Sequence, residues 1–302
     1  MKHVSLDGTL DLLTGFTVSY ADSRKDGSKI FLPSLGGHPF VPATSIKGKL
    51  RHLNTAMVME KLKEKNILFT LNDLFFNSMG GIKESGDSNF DVLTERSTLL
   101  QHPIAGLYGV SEPLFLKGKI QIENALVNGH VTPDVVSGQR NDPIQKGEIT
   151  REDVSDHDQF DSYIEKLSSN REKRKEKDKD TSALKPISTN MPHSREIIPP
   201  GTTCSHSISI SYPTEIELGM FFATLRRFAT SAPFFGAQLG MNLGIVDVEY
   251  EVSVDGETIG SISINGRKRT IEMDSAVKAY EDGFWENFSN IQFQRPVFKK
   301  EK

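Results

Sequence analysis

The residue pattern predicts an α+β protein with a βαββαβ core, an antiparallel sheet with two helices on one face. Three observations carry this. Val4, Leu6, Gly8, Leu10 and Leu12 alternate with other residues, the period of a strand with one buried face. Ile46, Leu50, Leu53 and Met57 recur at helical spacing soon after. The same periods return in the second half. Cys204, His206, Ile208, Ile210 and Tyr212 alternate, Leu218, Phe221, Phe222, Leu225 and Phe228 form a helical stripe, and Val246, Val248, Tyr250, Val252 and Val254 alternate again. That order is ferredoxin-like (RRM-like), here interrupted by long insertions.

The elements follow in order. After the first strand, residues 21–37 are polar and rich in turn formers, a loop before the first helix. Pro42 cannot continue a strand ladder, and Thr44 or Ser45 can accept a hydrogen bond from the first helical amides. The helix is expected to run to about Lys65. Leu71, Leu74, Phe75 and Phe76 fit a short second helix. Gly106, Leu107, Tyr108 and Gly109 form a glycine turn that leads into an alternating segment, Leu116 to Ala125. Residues 137–160 are polar with little periodicity. Phe160, Ile164 and Leu167 restore a helical period, which ends in Arg171–Asp180, six positive and four negative charges that read as a solvated block. Asp255 and Gly256 mark a hairpin turn. Tyr280, Phe284, Trp285 and Phe288 suggest a small helix packed on the body. The chain is expected to be a single domain, 1–302, with insertions at about 66–105 and 137–194 and an extension at 255–302.

Composition narrows the function. The chain has 302 residues, 36% of them hydrophobic, and a net charge of −4, so a nucleic-acid site must be a local basic groove and not a whole-protein field. One cysteine, Cys204, leaves no intrachain disulfide and no cysteine-rich zinc site. The first residues lack a signal-peptide apolar stretch, and no run approaches the roughly 20 apolar residues of a membrane span. The expected location is cytoplasmic. The histidines show no metal-ligand spacing with a third ligand, phosphate-loop and dinucleotide fingerprints are absent, and no cofactor is expected.

Two stretches could carry chemistry. The helix start at Ala43 offers free amides and a positive dipole end, and Lys47, Lys49 and Arg51 surround it with cations. Either this grips phosphate or it is the solvated face of an amphipathic helix. Glycines at 236, 240 and 244 could let backbone amides approach a phosphate, or could serve a helix-to-strand connection that needs left-handed residues.

The segment Pro42 to Arg51, Pro-Ala-Thr-Ser-Ile-Lys-Gly-Lys-Leu-Arg, resembles the Pro-Gly-Ser-Ser-Leu-Lys-Gly-x-hydrophobic-Arg segment of the RAMP superfamily (repeat-associated mysterious proteins), RNA-binding subunits of class 1 CRISPR effectors. Ala43 replaces the usual Gly and Thr44 the first Ser. Thr9 to Phe16 resembles the family's opening strand and turn. The Gly106–Glu112 stretch is similar to its Leu-Phe-Gly-Ser turn, with Tyr108 for Phe. Ile198 to Thr202, Ile-Pro-Pro-Gly-Thr, is similar to its second-half strand entry. The 236–244 segment resembles its glycine-rich loop, without that loop's frequent basic residues.

The resemblance implies a non-catalytic guide-RNA-binding backbone subunit, copies of which stack into a filament along one guide. Its implied partners are guide RNA, target nucleic acid paired to the guide, copies of itself and other effector subunits, with no membrane. Thr44, Ser45, Lys47, Lys49 and Arg51 are the candidate phosphate residues, with Arg226, Arg227, Gly236, Gln238, Gly240 and Asn242 from the second half. The 137–160 insertion corresponds to the family's thumb, which places Arg140, Asn141 and Lys146 on RNA and Ile144 as an apolar wedge. The subtype stays open between type IV, type III and DNA-targeting type I. So does a catalytic alternative. Target-cleaving members carry an Asp in the loop occupied here by Asp22 and Asp26, and His38 or His52 could serve a guide-processing ribonuclease. Asp26-Gly27 also reads as a plain turn. A structural protein without nucleic acid is the third reading, and the negative net charge is its support.

Overall fold

A strand with alternating apolar residues needs a partner face, and β1 (His3–Leu12) finds it at the centre of a large antiparallel sheet. The computed structural model describes residues 1, 3–18, 29–30, 32–81, 96–97, 100–111, 116–140, 150–165, 191–236 and 242–296. They belong to two compact units, one of residues 1–20, 32–134 and 197–302, the other of residues 21–31 and 135–196.

In the first unit β3 (Ser34–Leu35) and β4 (His38–Val41) precede helix α1 (Ala43–Lys63). Helices α2 (Leu71–Met79) and α3 (Pro103–Tyr108) follow, then the short β5 (Gly109–Val110) and β6 (Leu116–Lys117), which pair with each other. The next core strand is split into β7 (Ile120–Ile122) and β8 (Ala125–Val127), both paired with β11 (Thr202–Ser211). Helix α4 (Glu215–Ser231), β12 (Val246–Val254), β13 (Glu257–Asn265), β14 (Thr270–Met273) and α5 (Ser275–Asn287) complete it. The sheet order is β14-β13-β12-β1-β11-β8-β4-β3. Its middle, β12-β1-β11-β8, places the core strands fourth, first, third, second, the ferredoxin-like arrangement expected from the periods. The extension after Val254 does more than add a helix, because β13 and β14 widen the sheet.

The sheet's two faces differ sharply. Val4, Leu6, Leu10, Cys204, Ile208, Val248 and Val252 point into the core with the buried stripes of α1 and α4. Phe221, Phe222, Phe228 and Phe284, four of the fully buried phenylalanines, add about 1.5–3 kcal/mol each by leaving water. Where Gly8 carries no side chain, His206 and Tyr250 meet across β1, with His206 Nδ1 hydrogen-bonded to the Tyr250 hydroxyl. On β1, β11, β12 and β13 the opposite face carries chiefly hydroxyls and acids, and on β8 and β4 it adds Leu126 and Phe40. Ser207 donates to Asp7, Thr203 to Asp11, Ser263 to Glu249 and Thr258 to Glu251.

Helix α4 starts with a capping box between Thr214 and Glu217, and Glu217 also receives both hydrogen bonds of Lys119, 2.8 and 2.6 Å. Arg226 joins α4 to α5 through both oxygens of Glu281. Beyond α5 the chain returns to α2 and α3. The Phe293 carbonyl accepts from Asn77 Nδ2 (2.9 Å) and from His102 Nε2 (3.1 Å), and Arg295 N–H donates to Asp73 (2.6 Å). His102 Nδ1 in turn accepts the Ala105 amide at the start of α3, so the buried ring holds its proton on Nε2.

The second unit is described in part. It has a three-stranded sheet in the order β2 (Lys29–Ile30), β10 (Met191–Ile197), β9 (Asp134–Arg140), with β10 parallel to β2. A single 3-10 turn at Arg151–Asp153 and a helix at 157–165 follow β9. Block 171–180 lies outside the described residues.

Candidate nucleic-acid interface

Helix α1 begins at the predicted place but by other means. Pro42, extended at φ −65° and ψ 134°, occupies the cap position, and neither Thr44 nor Ser45 caps the helix with its side chain. The first free amide, that of Ala43, donates instead to Asn124 Oδ1 at 2.8 Å. Asn124 sits in the break between β7 and β8, so the interruption of that strand supplies the cap. Thr44 is exposed and Ser45 half-buried.

The three cations of this helix part company. Lys47 and Lys49 are half-buried and have no carboxylate partner among the described residues. Burial lowers both ammonium pKa values. Arg51 adds to the effect at Lys47, and Lys49 falls to about 8. Lys49 Nζ lies 3.6 Å from the centroid of the Phe234 ring, a cation–π contact. Arg51 corrects the expectation of a solvent-facing cation. It is buried, and its Nε donates to the Asn77 carbonyl (2.6 Å), Nη2 to Phe76 (3.0 Å) and Nη1 to Gly109 (2.9 Å). Two of these carbonyls end α2, where the helix dipole favours a cation. Burial lowers its pKa to about 10, which leaves it charged near neutrality.

Phe234 opens the connection from α4 to β12. Phe234 bridges to Ile245, and Phe235 N–H donates to the Gly244 carbonyl at 2.9 Å. Gly244 N–H donates to Gly15, Leu13 N–H to Ile245, and Ile245 N–H to Thr14 Oγ1, so the base of the connection is clamped to the turn after β1. Gly236 and Gly244 have φ of +86° and +82°, and a Cβ on them would lie 2.4 Å from Thr17 O and 1.9 Å from Phe235 O. These two glycines answer the needs of the connection. Asn242 is exposed with φ +57°. Gln238 and Gly240 lie outside the described residues.

Arg226 and Arg227, also candidates, face acids. Arg226 is bound by Glu281 and Arg227 by Glu60. Arg140 ends β9 in the second unit. Asn141, Ile144, Lys146, Asp22 and Asp26 lie outside the described residues. His38 packs edge-on against His130 with ring centroids 5.8 Å apart, and His52 is exposed on α1. Sequence reasoning missed Asn124 and Phe234. An Asn at a break in an alternating strand is the one local signal for the first; the second depends on a contact across most of the chain.

The open sheet face bears on where RNA can go. RRM-like sheets hold bases on aromatic rings. Here the outward positions of β11, β1 and β12 carry Ser, Thr, Asp and Glu with no Phe, Tyr or Trp, and Asp7, Asp11, Glu249 and Glu251 oppose phosphate. The cations stand instead at the rim, where α1 starts and the α4–β12 connection turns.

A ferredoxin-like core with a lysine-bearing helix start beside a glycine-bearing connection defines an RRM-related α+β class. The chain belongs to the RAMP superfamily, whose family model matches residues 9–273. No curated protein matches it in sequence. Membership points to CRISPR-associated RNA binding and, in general, to RNA and protein-complex partners. Among the described residues no helix is long and apolar enough to cross a membrane.

Proposed function

We propose that this protein is a non-catalytic guide-RNA-binding backbone subunit of a class 1 CRISPR effector, several copies of which assemble along one guide. The observation that carries this reading is the pair Lys47 and Lys49. They are the cations of the RAMP-like segment that, among the described residues, are held neither by a carboxylate nor, like Arg51, by buried carbonyls, and they stand at the start of α1 beside Phe234 and the glycine connection. Two ammonium groups on a rigid helix beside an aromatic ring suit a phosphate backbone with a base near the ring. Asn242 adds a donor on the same connection. Arg140, Asn141 and Lys146 belong to a thumb that reaches over the guide, and Asp22 and Asp26 have no catalytic part.

The test is purification of the full chain and measurement of its absorbance ratio, bound nucleic acid and size. Copurified RNA and elution as a large assembly are expected, and Lys47→Gln/Lys49→Gln should lower the log–log salt slope of binding by about 1.4. A monomer free of nucleic acid that binds no single-stranded RNA would overturn the reading.

A further inference from the structure

The turn between β13 and β14 carries Arg267, Lys268 and Arg269 in succession, all exposed. Nothing in the family resemblance uses them. Like Lys47 and Lys49, they differ from the cations whose donors are taken up within the protein. Arg51 gives its donors to carbonyls, and Arg226, Arg227 and Lys119 give theirs to carboxylates. Arg267, Lys268 and Arg269 have no ion-pair partner among the described residues. The turn is also built firmly. Gly266 N–H donates to Asp247 Oδ1 at 2.7 Å, Lys268 N–H to Asn265 Oδ1 at 2.8 Å, and Arg269 holds φ +56°.

Its position links it to the interface. A Cβ on Gly266 would lie 2.1 Å from Val246 O and 3.1 Å from Ile245 Cγ2. The turn is therefore seated against the residues on which the α4–β12 connection enters its strand. Ile245 bridges to Phe234, and the Phe234 ring carries Lys49. Lys49, Phe234, Ile245 and Gly266 are thus linked by successive contacts at the end of the sheet where β12 begins.

We infer that the Arg267–Arg269 turn is a second phosphate-contact element, which receives the single-stranded RNA backbone after it leaves Lys47 and Lys49 and passes Phe234. This rests on the proposed function. The flanking sheet face is acidic, so a strand at this rim is held between the two cationic groups and kept off the face between β11 and β12.

The test uses the full chain, stripped of copurified RNA, and a labelled oligouridylate titrated across a range of salt. The variant is Arg267→Gln/Lys268→Gln/Arg269→Asn; Asn tolerates the left-handed backbone at the last position. Each lost single-strand phosphate contact lowers the log–log slope by about 0.7, so a fall of about 1.4–2 with an unchanged melting temperature is expected. An unchanged slope in this variant, while Lys47→Gln/Lys49→Gln lowers it, overturns the turn's role and leaves the proposed function standing. Failure of the unaltered protein to bind the oligonucleotide defeats both. A smaller assembly with an unchanged RNA slope overturns the inference in favour of a protein partner at the turn.

Discussion

Replacing Arg51 with methionine should separate a structural arginine from a phosphate-binding one. The substitution keeps an unbranched side chain of similar length and removes the guanidinium. The buried carbonyls of Phe76, Asn77 and Gly109 then lose the guanidinium, and that of Phe76 keeps only the Gly80 amide at 3.1 Å. Hydrogen bonds to a charged group are worth about 1.5–3 kcal/mol each, and orphaned acceptors keep their desolvation cost. Because the three bonds share one group they do not add, and about 3–5 kcal/mol is expected for the set, the scale at which buried charged pairs break. For a domain of this size about 2–4 °C of melting temperature accompanies each kcal/mol, so the transition should fall by roughly 6–20 °C. Arg51→Lys should fail to restore it, since one ammonium cannot reproduce a planar fork aimed at three carbonyls. The assay is thermal unfolding, paired with an RNA salt titration well below the transition. The slope of that titration should not change. A variant that melts within about 2 °C of the parent while its slope drops by about 0.7 would show that Arg51 meets phosphate after all.

The remaining predictions concern pH. Burial lowers both His102 and His206 to about 4, below the ordinary value of 6.5, so the unfolded chain binds more protons between those values. Stability should therefore be complete above about pH 6.5 and be lost as pH falls towards 4, by up to about 3 kcal/mol for each ring. A urea midpoint that stays flat from pH 7 to 4.5 would refute this. Lys49, at about 8, should lose its charge in a range where ordinary lysines keep theirs. RNA affinity should decline as pH rises through 8, and Lys49→Gln should remove that dependence; a decline that persists in the variant would assign it to another group.

Much of the core was legible because its period is short. Alternation over residues 4–12, 204–210 and 246–252 identified strands whose inward apolar residues are buried, whereas Tyr212 lies past the end of β11 and is exposed with φ +50°; Ile46, Leu50 and Met57 do face the core. Arg51 was misread because helical spacing describes a helix and not its neighbours. The buried side of α1 also includes Asn54 and Thr55, since more than the sheet packs against it. A cation beside the end of a second helix looks the same in sequence as one beside water. The cap from Asn124 and the ring of Phe234 come from 81 and roughly 190 residues away, beyond any local window. The β13–β14 hairpin falls within the stretch that reads from sequence only as an extension, although Arg267 to Arg269 are plain there.

The face of hydroxyls and carboxylates gives the first unit a polarity that its net charge conceals. Asp7, Asp11, Glu249 and Glu251 are each tied to a hydroxyl on the next strand, so these negative groups stand in fixed rows and do not swing away from an approaching polyanion. A phosphodiester chain that drifts up to this side is turned back before contact, whereas one that meets the rim finds cations. Under the proposed function the molecule would reject misoriented encounters at a distance, and salt would have two opposed effects on it. Added ions weaken attraction at the rim, and they also lift the guard on the sheet, so discrimination between the two sides fades sooner than binding itself.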